Sequence, residues 1–123
     1  MSKNILIVED SSTMRSLIVS TLELLEDIDI TESPSGFEAL KILPLKKFDL
    51  ILTDINMPDI NGLELVSFVK NNQAYKSVPL IIISTEGSDK DVERGMALGA
   101  DEYIKKPFKP EELQSLVTKY LEK

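Results

Sequence analysis

The 123-residue chain predicts an α/β fold, a doubly wound parallel sheet of five strands with five helices. Three observations carry this reading. Short apolar runs recur at residues 5–8, 28–31, 50–53, 80–84 and 103–105. The gaps between them hold apolar residues at helical spacing. Polar groups able to do chemistry collect where four of the runs end, and doubly wound sheets bind ligands beyond the carboxyl ends of their strands.

The first run, ILIV, is continuously hydrophobic, as are the third and fourth. Strands covered on both faces read this way. The second and fifth are shorter or more polar and suit the sheet edges. Met14, Leu17, Ile18, Leu22 and Leu25 mark the inner stripe of the first helix. Ser35-Gly36-Phe37-Glu38 is a capping box that opens the second, and Pro44 ends it. The third starts near Gly62 and turns Leu65, Val66 and Val69 inward. Ser88-Asp89-Lys90-Asp91 can cap the fourth, although Gly95 weakens its middle by about 1 kcal/mol. Pro110 suits the first position of the last helix, where Leu113, Leu116, Val117 and Tyr120 repeat at i, i+3, i+4 and i+7. Nothing in the composition marks a linker, so residues 1–123 read as one domain with right-handed crossovers.

Composition removes several function classes. There is no cysteine and no histidine, which excludes disulfides, thiolate or imidazole metal sites, and any triad that uses histidine. Net charge is -7 and basic residues form no run longer than two, so nucleic acid is not an expected partner. The apolar run near the N-terminus is too short for a signal peptide or a membrane span, and a cytoplasmic protein is the expectation.

The strand ends carry the chemistry. The first run ends in Glu9-Asp10, the third in Thr53-Asp54, the fourth in Ser84-Thr85 and the fifth in Lys105-Lys106-Pro107. Two carboxylates about 4 Å apart repel by roughly 4 kcal/mol at an effective dielectric near 20. A cluster of them therefore takes up a proton or a cation. All-oxygen ligands select a hard ion, Mg²⁺ before Mn²⁺, and Mg²⁺ commonly shares a phosphate. A carboxylate can act as nucleophile toward phosphorus, with lysine and a hydroxyl stabilising the phosphoryl oxygens. Neither GxxxxGK[ST] nor GxGxxG occurs, so the donor is not expected to be ATP itself.

Together "ILIVED", "LILTDINMPDING", "PLIIIST" and "GADEYIKKPF" give the chain a resemblance to response-regulator receiver domains, above all the single-domain chemotaxis CheY type. The resemblance spans the whole chain. It implies a flavodoxin-like fold with strand order 2-1-3-4-5, an order that belongs to the family and is not read from spacing. It also implies that Asp54 accepts the phosphoryl group from a histidine kinase. Mg²⁺ would be held by Asp10, Asp54 and the backbone carbonyl of Asn56, with Glu9 assisting. Lys106 would contact the phosphate, Ser84 would swing toward it, and Tyr103 would change rotamer on the outer face. Lys106-Pro107 would be cis. The chain would act as a monomer, switching the surface of helix four, strand five and helix five to bind a target protein. "SSTMRSLI" (residues 11–18) points that target toward the flagellar motor switch.

Three positions depart from the common family pattern. Glu9 stands where aspartate is frequent, Ser84 where threonine is commoner, and Thr85 where alanine is frequent. Glu86 and Asn56 would influence the lifetime of the phosphoryl group. A phosphorelay intermediate, or a receiver cut from a larger regulator, would share the same site. A Mg²⁺-dependent phosphatase with an aspartyl nucleophile is the reading from another class. It fits poorly, because Asn56 occupies the place of the second acid in Asp-x-Asp. A flavin-binding fold fits less well still, without a Ser/Thr-rich phosphate loop or tryptophan.

Overall fold

The computed structural model describes residues 2–57, 60–85 and 89–122. Five strands, β1 (Lys3–Val8), β2 (Ile28–Ser33), β3 (Leu50–Asp54), β4 (Leu80–Ser84) and β5 (Glu102–Lys105), form one parallel sheet in the order β2-β1-β3-β4-β5. The two polar strands lie at the edges, as their sequences predict. The helices are α1 (Ser12–Leu22), α2 (Gly36–Ile42), α3 (Gly62–Lys70), α4 (Asp89–Ala97) and α5 (Pro110–Leu121), and a short 3-10 turn at Leu43–Leu45 follows α2. Pro44 lies inside that turn, so the chain tightens through the proline rather than stopping at it.

Strand alternation sorts the core into two layers. Ile5, Ile7, Leu50, Leu52, Ile81 and Ile83 pack with Ile18 and Leu22 of α1 and with Leu113, Val117 and Tyr120 of α5. On the other face Leu6, Val8, Ile51, Leu80 and Ile82 meet Ala39 of α2, Leu65, Val66 and Val69 of α3, and Val92 of α4. One member of the expected first stripe lies elsewhere. Leu17 is exposed, while Thr21 is buried and satisfies its hydroxyl on the Leu17 carbonyl at 2.8 Å. A buried threonine with a backbone partner inside its own helix costs little, and a polarity pattern does not reveal it.

The caps explain where helices begin. Ser11 caps α1, accepting from the Met14 N–H at 3.2 Å. Ser35 caps α2, accepting from the Glu38 N–H at 3.1 Å. The full reciprocal box belongs to α3: Asn61 accepts from the Glu64 N–H at 3.0 Å, and Glu64 accepts from the Asn61 N–H at 3.5 Å. The proposed cap of α4 at Ser88 lies outside the described residues. Gly95, a weak point by propensity, has a packing reason: a Cβ there would run into the Cδ1 atom of Ile82. The helix approaches the sheet closely because that carbon is missing.

At the amino rim of the sheet, Lys70 bonds the carbonyls of Lys76 and Val78 at 3.3 and 2.8 Å and the Asp101 carboxylate at 2.8 Å. The same carboxylate oxygen accepts from the Leu80 N–H, and Tyr120 donates to the Asp101 carbonyl. The end of α3, the entries to β4 and β5, and α5 are thereby tied at one place. No helix among the described residues is long and apolar enough to cross a membrane.

Gly62 bears directly on the carboxyl rim. A Cβ at this position would collide with the Asp54 carbonyl and crowd Ile55 Cα, and backbone atoms cannot step aside as a side-chain tip can. Gly62→Ala is therefore expected to destabilise the fold by about 1–3 kcal/mol, read as a lower urea midpoint at unchanged slope.

Candidate functional site

Strand register assembles the site. Val8 pairs with Thr53, so Glu9 and Asp54 leave neighbouring strands side by side. Asp54 pairs with Ile83 and Ser84 with Lys105, which brings Ser84 and Lys106 to the same rim. Helix α1 starts immediately after Asp10 under the Ser11 cap. Capping therefore falls to Ser11, and Asp10 is left for another task.

Glu9, Asp10 and Asp54 each bring a carboxylate oxygen within 4.8 Å of the others. Glu9 and Asp54 are buried and Asp10 is exposed. Lys106 spans the buried pair, its Nζ 2.8 Å from Glu9 Oε1 and 3.7 Å from Asp54 Oδ2. The Ser11 N–H donates to Glu9 Oε2 at 3.1 Å, so the longer side chain of glutamate is held at both oxygens. Asp54 Oδ1 accepts from the Ile55 N–H at 2.8 Å, leaving Oδ2 as the oxygen turned toward the lysine. The Lys106 N–H bonds the Ser84 carbonyl at 2.6 Å, and the Lys106-Pro107 peptide is cis.

Two features mark the cluster as incomplete by itself. Ser84 Oγ is buried and has no hydrogen-bond partner among the described residues. An orphaned buried hydroxyl costs about 1–3 kcal/mol, so Ser84 Oγ stands ready for an acceptor at this rim. The Asp10 carboxyl is held above the usual carboxylate range. Desolvation is the first cause, then the hydrogen bond and charge of Glu9, while its own backbone and Lys106 act in the opposite sense. One lysine does not balance three acids. The donor set is all oxygen, which fits a hard dication and not a soft metal.

The remaining expected residues fall into two groups. Asn56 is exposed at the end of β3 and lines a cleft together with Asp10, Met57, Asn61 and Asp91. Tyr103 is 41 % exposed and lies away from the acids, lining a groove between β5 and α5 with Glu112, Leu116 and Lys119. Thr85 is exposed beyond β4. Glu86, together with Pro58 of the Met-Pro turn, lies outside the described residues. The structure adds Arg15, which sequence reasoning passed over: it donates from Nη1 to the Glu9 carbonyl at 2.7 Å and pairs through Nε with Glu32 Oε1 at 3.1 Å. A lone arginine in a helix carries no sequence signal that would single it out.

Residues 5–118 match the description "Response regulator receiver domain". The chain belongs to the response regulator receiver family. It is 40% identical over 111 residues to a chemotaxis protein CheY homolog of Campylobacter jejuni, covering 89% of this chain and 85% of that protein. It is also similar to the crystallised chemotaxis protein CheY4 of Vibrio cholerae, at 32% identity and TM-score 0.89, over 98% of this chain and 99% of that one. A third likeness is to the receiver domain of the sensor histidine kinase PA1611 of Pseudomonas aeruginosa, described with a magnesium ion coordinated in its active-site cleft; identity is 25% and TM-score 0.90, and both chains are covered in full. Receivers are phospho-accepting signalling proteins rather than enzymes in the usual sense, their partners are histidine kinases, and an acidic cluster such as Glu9, Asp10 and Asp54 is typical of their Mg²⁺ site. The Campylobacter and Vibrio relatives are both named as chemotaxis proteins.

The raised Asp10 carboxyl sets a sign. In metal-free protein the folded state keeps a proton that the unfolded chain has already lost, so stability falls as pH rises from the ordinary carboxylate range through the raised value. Asp10→Asn removes that penalty. In chelator at neutral pH the variant is expected to melt above the parent. Added Mg²⁺ should raise the melting temperature of the parent and leave the variant unmoved.

Proposed function

We propose that the chain is a phospho-switch in which Asp54 accepts a phosphoryl group from a histidine kinase in a Mg²⁺-dependent transfer. One observation carries the reading: Asp54 Oδ2 is turned into a rim that already holds a positive group, two further acids and an unsatisfied hydroxyl. Oδ2 attacks phosphorus, a P–O bond forms, and the P–N bond of the kinase phosphohistidine breaks with its electron pair left on the imidazole. A Mg²⁺ ion held by Asp10, Asp54 and the Asn56 carbonyl, with Glu9 assisting, would supply the charge that lets an anionic donor approach three carboxylates.

The residues of the chain do the rest. Lys106 moves its charge from Glu9 onto a phosphoryl oxygen, a short shift because it already lies between Glu9 and Asp54. Ser84 gains the acceptor it lacks. The backbone link from Lys106 to Ser84 couples the two responses, and β5 carries the change toward Tyr103. Output is through protein contact on the surface of α4, β5 and α5. Likeness to proteins named for chemotaxis supports a target in that response; the target we propose is the flagellar motor switch, reached in the cytoplasm.

Acetyl phosphate with Mg²⁺ is expected to label the parent at one site, and Asp54→Asn should abolish the label by intact mass; full labelling of the variant would mean another nucleophile. Lys106→Ala should still accept some label but lose the gain in target affinity on phosphorylation. An undiminished gain would remove Lys106 from the switch.

A further inference from the structure

Arg15 occupies an electrostatically awkward place. It lies near the N-terminus of α1, where the helix dipole disfavours a cation, and it reaches toward the acidic rim, where it would repel one. Two contacts hold it there. Nη1 donates to the Glu9 carbonyl at 2.7 Å, and Nε pairs with Glu32 of the edge strand β2 at 3.1 Å. The Arg15 side chain is 19% exposed and that of Glu32 48%, so the end bonded to Glu9 is the better sheltered.

The carbonyl it holds belongs to the peptide that joins Glu9 to Asp10. That peptide lies one residue beyond the end of β1 at Val8, past the last register pair with β3, Val8 with Thr53. The preceding peptide is tied to β2, where the Glu9 N–H bonds the Ser33 carbonyl at 3.0 Å. Arg15 holds the next peptide by its carbonyl, and Asp10 extends from the peptide so restrained. We propose that Arg15 is a positioning residue for divalent-cation binding: clamped between the Glu9 carbonyl and the Glu32 carboxylate, it fixes the Glu9–Asp10 peptide so that Asp10 presents its carboxylate to the ion. Glu32 neutralises the guanidinium, so the restraint is applied without a net positive charge beside the cation. A lysine carries its donors on a single nitrogen and lacks the planar fork that sets Nε and Nη1 side by side, so it reproduces the clamp only in part. The inference rests on the Mg²⁺-dependent reading above.

The proposal and a purely electrostatic view differ in sign. If Arg15 mattered only through its charge, removing it would make the rim more negative and tighten Mg²⁺ binding. If it positions Asp10, removing it weakens binding, by about 10-fold or more as for other partners that orient metal ligands. The test is a Mg²⁺ titration of the full chain followed by backbone amide shifts, with urea unfolding in chelator alongside. R15Q is expected to raise the Mg²⁺ Kd by about 10-fold, with R15K between it and the parent. Acetyl phosphate labelling of R15Q should return to the parent rate at saturating Mg²⁺. Unchanged or tighter Mg²⁺ binding in R15Q overturns the proposal, as does a loss of stability with no change in Kd, which would make Arg15 a structural staple. A parent that fails to titrate defeats the underlying Mg²⁺ reading instead, and that outcome is seen before any variant is compared.

Discussion

The structure depends on one unbalanced contact: a single ammonium, Lys106, set against two buried acids with a third beside them. Water would solvate such charges cheaply, whereas a buried rim does not. The lysine leaves Glu9 and Asp54 tolerable in the resting fold but leaves the cluster one or two positive charges short. Desolvation and the neighbouring Glu9 together hold the Asp10 carboxyl above its usual range, and Ser84 Oγ has no partner among the described residues. An incoming cation and an incoming phosphate would each remove one of these faults. The resting state is thus assembled from groups whose satisfaction is deferred.

Rigid elements keep those groups in place. Parallel register sets Glu9 beside Asp54 and Ser84 beside Lys105, and both flanking layers of helices are packed on fully buried aliphatic residues. Gly62 lets α3 start against the Asp54 carbonyl, and its N–H bonds the Ile55 carbonyl at 2.8 Å. Ile55, the first residue after β3, is therefore tied by its backbone to the start of α3. Small errors in these positions would matter, because charge interactions at a few ångströms change steeply with distance in a medium of low polarity.

Much of this was legible in the sequence, for identifiable reasons. Continuous aliphatic runs located the inner strands, and the more polar runs located the edges. The acids, hydroxyl and lysine stood at run ends, so knowing where the runs stopped was enough to place Glu9, Asp10, Asp54, Ser84 and Lys106 on one rim. What escaped was tertiary in origin. Leu17 matched the helical stripe, yet the buried position went to Thr21, whose hydroxyl finds a partner one turn back. Gly95 looked like a defect until the approach of Ile82 showed what its missing carbon allows. Asn61 and Glu64 have the spacing of a capping box, a signal carried by residue type alone. Arg15 was invisible because its role comes from a strand seventeen residues away and a carbonyl, and neither leaves a trace in residue type.

The knot formed by Lys70, Asp101, Leu80 and Tyr120 lies at the opposite rim from all of this. It clamps β4 and the edge strand β5 at their roots, as a bench vice holds a plank by one end. A push applied at the free end of a clamped plank bends it most at the tip and hardly at all near the jaws. By the same mechanics, β4 and β5 are held most firmly at their entries and yield most readily toward their far ends, where Ser84 and Lys106 lie.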